Sequence, residues 1–593
     1  MFEPAHLSSI SKSLPSNSDP LFQAESLKPE YWGGSIPVQD NLPAETYYRL
    51  GRYFDDQGKM DEALVFFKKA IGKKTTLAIA YNDLGGIYQR RGQIEEAIQQ
   101  YQLALSIRPE FVEAHYNLGN VYKDIQQWPE ASFHSQKALA LEPRLGEAAH
   151  VLGISLYEQG KLDEAIEAWQ KALQVNPDLP NVSFNLGIAY YNQGSLDEAL
   201  FYCEKAIELD PHSAEAHYNL GLIHYGLNQP DEAVRCWQRT LQYNPRHLNA
   251  SCNLGVVFQE NHQLVRAMKC YEKALKIKTD FPDARWNRAV CRLLAGDFNQ
   301  GWREYQWRFK VKDLFLERGF PHPYWQGEPL EGKKILLYAE QGFGDTFQFI
   351  RYLPWVVNQG GTVVLECPRE IIPMLRNQKG IDRIIPYGDP LPGFDLQCPL
   401  LNLPLIFNTR LDTIPAKIPY LFSDQQLVHK WRMWLDQDSK RFRVGLVWAG
   451  RPIHKKDKKR SIRINSFLPL FKMPEVTFYS LQKGEAATQI KQFPEKESFI
   501  DLSGPLTDFS ETAALIENLD LVITVDTAVA HLTGALGKPV WTLLPFSPDW
   551  RWMLDREDSP WYPTMKLFRQ PVPGDWGSVM EKVRKKLEEF IKI

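Results

Sequence analysis

The chain has 593 residues, 44% of them apolar and 24% charged, with a formal net charge of -3. At ~150 residues per domain the length calls for several folded units rather than one core, and the composition is that of a globular protein. The charge balance gives no electrostatic case for nucleic acid or an acidic membrane surface as the main partner.

The opening segment, MFEPAHLSSISKSLPSNSDP, has no basic stretch followed by an apolar one, and no apolar run reaches the ~18 residues of a membrane span. Seven cysteines are an odd number, with no CxxC pair and no Cys/His cluster at zinc spacing. Free, buried thiols and a cytoplasmic location are expected. The 17 Trp suit binding surfaces without specifying one.

Residues 1–42 are rich in Ser, Pro and Asn, lack periodicity and predict a loosely ordered tail. Then Leu-Gly recurs every 34 residues, at Gly51, Gly85, Gly119, Gly153, Gly187, Gly221 and Gly255, with an Ala 12 residues after each, from Ala63 to Ala267. Pro109, Pro143, Pro177, Pro211 and Pro245 close most units. Gly on one helix and Ala on the next let two antiparallel helices approach, and Phe67, Tyr101, Trp169, Trp237 and Tyr271 are expected to fill the space between units.

This pattern resembles the tetratricopeptide repeat family. Seven units are clear over 43–315, and a degenerate eighth runs from Phe281 to Phe309, with Ala289 and Gly301 in the small-residue places. The resemblance implies an all-α superhelix whose concave face is lined by the first helix of each pair. Two residues before Gly stand Asn117, Asn185, Asn219 and Asn253, with Asp83 and Val151 interrupting the series. Asn amides in a column can hold an extended peptide backbone. They look like the asparagine ladder of the O-linked N-acetylglucosamine transferases, although Asn is also simply common before Leu-Gly in such repeats.

From about Pro323 apolar, β-rich runs alternate with helical patterns: 334–338, 362–366, 383–386, 444–448, 476–481, 499–502, 521–525 and 540–544. Such alternation predicts parallel sheets flanked by helices. A linker over roughly 413–440 separates two α/β halves, 316–425 on the acceptor side and 426–593 on the donor side. The final segment, from Ser578, reads as an amphipathic helix packing back across both halves.

Ligands of open parallel sheets sit at the carboxyl ends of the strands, and four loops fall there. The first, Ala339 to Thr346, contains Gly342, Gly344 and Asp345, whose carboxylate could take a proton from a hydroxyl or merely cap a helix. The second, Ala449 to Arg463, is densely cationic; its position favours a diphosphate partner, with Arg460 as a bidentate candidate, though charge runs often mark solvated faces. The third is Ser480 to Gly484, with Gln482 and Lys483. The fourth is the turn after 521–525, where Asp526, Thr527, Ala528 and Val529 open a helix carrying His531; its unpaired N–H groups and dipole suit a phosphate. Asp549 to Trp552 could touch donor or acceptor, but reads slightly better as a packed aromatic corner.

Gly344-Asp345 with Pro354, Val525-Asp526-Thr527 with His531, and the runs GLVWAG, SLQKG, VDTAVAHLTGALGKPVW and PFSPDWRW resemble the heptosyltransferases of glycosyltransferase family 9. The wider pattern is similar to bacterial tetratricopeptide-repeat glycosyltransferases. The resemblance implies a GT-B fold of two Rossmann-like halves and a metal-independent, inverting transfer from a nucleotide-diphosphate sugar. No cofactor beyond that donor, no metal and no nucleic acid are expected. Asp345 would be the general base, Asp526 to Val529 would meet the donor, His531 would support that turn, a cation of 451–463 would neutralise the diphosphate, and Gln482 and Lys483 would lie near the nucleotide. With the repeats holding the acceptor, a protein glycosyltransferase is the leading expectation. A lipid-linked or polysaccharide acceptor with a docked partner, or a non-catalytic scaffold, are the alternatives. The acidic tripeptide Asp436-Gln437-Asp438 falls in the linker and is read as surface.

Overall fold

The computed structural model describes residues 42–593 except 313, 315, 316, 437–440, 455, 456, 494–498 and 593. The expected N-terminal tail therefore lies outside the described residues but for Leu42. Two compact units result, dividing after Pro211.

The first unit contains five antiparallel helix pairs, beginning with Ala44–Asp56 and Met60–Lys73 and ending with Pro180–Gln193 and Leu196–Leu209. Each pair encloses its own spacer. A Cβ added at Gly51, Gly85 or Gly153 would stand 2.6, 2.8 or 2.4 Å from Phe67, Tyr101 or Trp169 on the second helix of the same pair. The glycine is thus the seat of the ring within its unit, and each ring also joins a core cluster with the first helix of the next unit, as Phe67 does with Leu84 and Ile87 and Trp169 with Val182 and Leu186. Ser135 and Cys203 take that seat opposite Gly119 and Gly187. The turn between paired helices needs a left-handed residue, supplied by Gly58, Gly92, Gly160 and Gly194 and, in one pair, by Gln126.

The second unit opens with three more pairs, Ala214–Gly226 with Pro230–Tyr243, Leu248–Glu260 with Leu264–Ile277, and Pro282–Leu294 with Phe298–Tyr305. The degenerate eighth unit is a true helix pair, with Gly301 seated on Leu293. Two wholly parallel sheets follow. The first contains β1 (Lys334–Tyr338), β2 (Thr362–Cys367), β3 (Arg383–Pro386) and β4 (Leu396–Pro399), in the order β3-β2-β1-β4. The second contains β5 (Phe442–Val447), β6 (Val476–Ser480), β7 (Phe499–Asp501), β8 (Leu521–Val525), β9 (Val540–Leu544) and β10 (Met565–Arg569), in the order β10-β9-β8-β5-β6-β7. The fold is thus an all-α repeat region followed by an α/β region.

In each sheet the first strand lies between neighbours reached in opposite directions, the switch point at which α/β sheets bind ligands. Val444 pairs with Leu521 and Val447 with Thr524, so the loops after β5 and β8 leave the sheet side by side. β4 and β10 escape the sequence reading, because LQCP is short and MKLFR has charges at both flanks. Two further expectations need correction. The linker contains a helix, Gln425–Leu435, whose Trp431 donates to Glu511 on the helix Phe509–Glu517. The last helix, Trp576–Ile591, buries Val579, Val583 and Leu587 among Val444, Phe478 and Trp541 of the second sheet, and does not span both halves.

Candidate active site

The loop after β1 is shaped by its own hydrogen bonds. Gly342 N–H donates to Asp345 Oδ2 at 2.8 Å and opens the short helix Phe343–Phe349. The carboxylate therefore caps the helix with one oxygen, and its second oxygen accepts from Arg551 Nη2. Burial pushes the Asp345 carboxyl above its ordinary range, the Arg551 cation pulls it down, and Asp549 pushes it up again. Five residues before Asp345, the side chain of Glu340 is buried in a fork-to-fork pair with Arg308 of the eighth helical unit, at 2.8 and 2.9 Å.

The turn after β8 faces this loop. Gly344 lies so close to the second half that a Cβ there would stand 2.6 Å from His531 Cδ2 and 3.4 Å from Ala528 Cα. Ala528 and Val529 begin the helix Ala528–Ala535, and their N–H groups have no carbonyl one turn earlier to bond. Thr527 sits at the cap position, but its hydroxyl bonds Thr524 Oγ1 at 3.0 Å rather than the helix, so it is no side-chain cap. Burial first, then Asp549, pushes Asp526 up to about 6; Arg460 and Arg551 oppose this. His531 is buried, with Nδ1 at 3.0 Å from the Tyr562 hydroxyl. Burial, then the charge of Arg551, lowers its pKa to about 3, so the imidazole is neutral at physiological pH.

The cationic loop after β5 divides its charges. Arg451 stacks on Phe343, 4.6 Å from the ring centre, beside Gly344. Arg460 is held by Asp457 at 3.4 Å, and a Cβ at Gly450 would collide with both side chains. Lys459 reaches away to Glu260 at 3.0 Å, on the seventh helical unit. Lys455 and Lys456 lie outside the described residues.

In the third loop Gln482 is buried: Oε1 accepts from the N–H groups of Trp448 and Ala449 at 3.0 and 2.9 Å, while Nε2 donates to the carbonyls of Ala449 and Lys483. It braces the ends of β5 and β6, so its amide is bonded within the protein. Lys483 Nζ rests on the Ser503 carbonyl.

Sequence reading underrated Arg551. Its guanidinium bonds Asp345, Asp549 Oδ1 at 2.7 Å and Gln348 Oε1 at 2.7 Å, and stacks on Trp550 at 4.3 Å. Trp550 and Trp552 do form a buried aromatic corner, with Trp302 of the eighth helical unit against Trp550 at 5.1 Å. The available signal was a lone Arg between two Trp, two residues after an Asp.

The four asparagines are all half-buried. Asn117 donates to Asn82 Oδ1 at 3.0 Å, Asn219 to its own helix at the Glu215 carbonyl, and Asn253 weakly to the Tyr218 hydroxyl. Asp436 pairs with Arg443, and Gln437 and Asp438 lie outside the described residues. All seven cysteines are free thiols, six of them buried. No described helix is long and apolar enough to cross a membrane.

Comparison with known proteins agrees with both regions. Residues 44–72, 85–126, 153–194, 180–213 and 214–247 match tetratricopeptide repeat profiles, and residues 475–565 match glycosyltransferase family 9 (heptosyltransferase). Protein FlbA of Caulobacter vibrioides (strain ATCC 19089 / CIP 103742 / CB 15) is 26% identical over 335 residues, which are 52% of this chain and 56% of FlbA. The chain thus spans about half the length of the curated relative it matches. Among solved structures, YrrB, described as a TPR protein with an unusual peptide-binding site, is 28% identical with a TM-score of 0.29, covering 31% of this chain and 95% of YrrB. MamA is 28% identical with a TM-score of 0.27, covering 28% of this chain and 97% of MamA.

Proposed function

We propose that this chain, which joins tetratricopeptide repeats to a glycosyltransferase family 9 domain, is a glycosyltransferase that moves a sugar from a nucleotide-diphosphate donor to an acceptor hydroxyl, with inversion and without a metal. The observation that carries the reading is the meeting of Gly344-Asp345 with the Asp526–His531 turn at the carboxyl ends of two parallel sheets. The candidate base follows Gly344 on one half, and the anion-suited helix start lies against Gly344 from the other.

Asp345 takes the proton of the acceptor hydroxyl as its oxygen attacks the anomeric carbon. The bond from that carbon to the diphosphate breaks, and the nucleoside diphosphate departs with the electron pair. The N–H groups of Ala528 and Val529, with Arg460, stabilise the developing charge. His531, being neutral, supports the turn without adding charge. Asp526, at the head of the same helix start, meets the donor with those N–H groups. Gln482 contributes by holding the loop ends, and Lys483 lies beyond that brace.

The acceptor is a protein held by the repeats. A stack of helix pairs can gather a polypeptide near the site by avidity, whereas a small glycolipid gains nothing from it. Asn117, Asn185, Asn219 and Asn253 are the candidate contacts. Free thiols and a nucleotide-sugar donor fit a cytoplasmic setting.

The test is thermal melting of the chain, of Asp526→Ala and of Asp345→Asn against ADP, UDP, GDP and their sugars. A ligand at ~100 times its dissociation constant adds ~2.7 kcal/mol. One nucleotide should raise the melting point of the chain and of Asp345→Asn, but not of Asp526→Ala, while Asp345→Asn loses transfer. If no nucleotide shifts any of the three, the transferase reading falls.

A further inference from the structure

Asp345 is held by more than a helix cap needs. Its guanidinium partner, Arg551, is 6% exposed, and each arm has a separate acceptor: Nε on Gln348, Nη1 on Asp549 and Nη2 on Asp345. Asp549 also accepts from the Arg551 backbone N–H at 3.0 Å, so the side chain is clamped to its own loop. Trp550 supports one face, and Trp302 and Tyr305 of the eighth helical unit pack behind Trp550 at 5.1 and 6.0 Å. A guanidinium fixed in this way can hold a carboxylate in one orientation, which a flexible ammonium could not.

We propose that Arg551 is the positioning residue of the base: it fixes the orientation of the Asp345 carboxylate and supplies its counter-charge while Asp549 holds another arm of the guanidinium. The inference rests on Asp345 being the base of the proposed transfer. A purely structural ion pair would also be buried, but it would have no reason to join the two halves at the residue that receives the proton. Here one cation serves Asp345 and Asp549, and Asp549 in turn bears on Asp526 across the donor turn. The other charged or titratable groups facing this cluster are Arg460 from the loop after β5, His531 from the helix after β8, Arg351 beside Tyr562, and Tyr305 from the eighth helical unit.

The test is a comparison of Arg551→Met, Arg551→Lys and Asp549→Asn. The primary readout is the pH profile of kcat/KM for hydrolysis of whichever ADP-, UDP- or GDP-linked hexose the chain turns over. Activity needs ionised Asp345, so its acid limb follows that carboxyl. Arg551→Met removes the cation and should move the limb up by about 1–3 pH units. Arg551→Lys should keep the limb near its original place with a lower kcat. Asp549→Asn should move it down. A second readout needs no turnover: the melting difference between each protein and its Asp345→Asn counterpart, followed against pH, reports the same ionisation and should shift in the same directions. If Asp345→Asn still transfers sugar, the reading of the base falls. If Asp345→Asn is inactive but Arg551→Met and Asp549→Asn leave both the limb and the melting difference in place, the positioning role of Arg551 falls.

Discussion

Gly344 lies against the imidazole of His531, so that a Cβ at position 344 would stand 2.6 Å from its Cδ2. The two halves of the α/β region meet at this point with no side chain between them, and Asp345 is the next residue. His531 is held in place, because Tyr562 bonds its Nδ1 at 3.0 Å and the Trp552 ring packs 5.2 Å from it. Gly344→Ala should therefore part the loop from the turn. Overpacking of this kind costs about 1–3 kcal/mol, and a displacement of ~1 Å at a reacting group costs ~100-fold in rate. Melting and donor turnover measured on one preparation check both. Unchanged turnover would mean that the two loops do not act together.

The same turn sets an acid response. His531 has its pKa lowered to about 3, so its contribution to stability is complete above its ordinary value of 6.5 and is lost as pH falls toward 3. Asp526, pushed up to about 6 from 3.8, works in the opposite sense: its contribution is complete below 3.8 and is lost as pH rises through about 6. Between those values the two effects oppose each other, and below them His531 acts alone. Asp526→Asn should melt higher than the unmodified chain at pH 7 and lose stability more steeply between pH 6 and 4. His531→Phe should lose less over the same interval. Melting curves from pH 3 to 7 decide this, and three parallel curves would refute it.

The repeats and most strands are plain in the sequence because their signals are local. A glycine under a ring recurs at fixed spacing, and LVITV or KILLY needs no distant partner to be read as a buried strand. The loops at the strand ends are legible for the same reason. What the sequence withheld depends on contacts made far along the chain. Nothing in the sequence around Gln482 tells that its amide bonds Trp448 and Ala449. Arg551 looks like part of an aromatic corner until Asp345, 206 positions earlier, is found on its guanidinium. The role of the eighth helical unit was hidden likewise, since Arg308 and Glu340 carry no pattern that pairs them.

That pair makes a direct stability prediction. Arg308 is fully buried, and besides Glu340 it holds Asn402 Oδ1 at 2.7 Å. Arg308→Met would strand the Glu340 carboxylate in a dry setting, at a cost of about 3–5 kcal/mol, whereas replacing both partners with apolar residues is close to neutral. Arg308→Met should melt well below the unmodified chain, and the added Glu340→Leu should restore most of the loss. Because Glu340 lies two residues before Gly342, the single variant should also lose turnover beyond what its melting explains at a temperature where it is fully folded. The same contacts bear on where the unit that folds with the α/β region begins. Trp302, Tyr305 and Arg308 all precede residue 316, yet they pack on Trp550 and Glu340 of the α/β region. A fragment starting at 316 should therefore fail to melt cooperatively, while one starting at 212, where the second compact unit opens, should do so. Cooperative melting of the shorter fragment would show that the eighth helical unit is only attached to the site and does not help to build it.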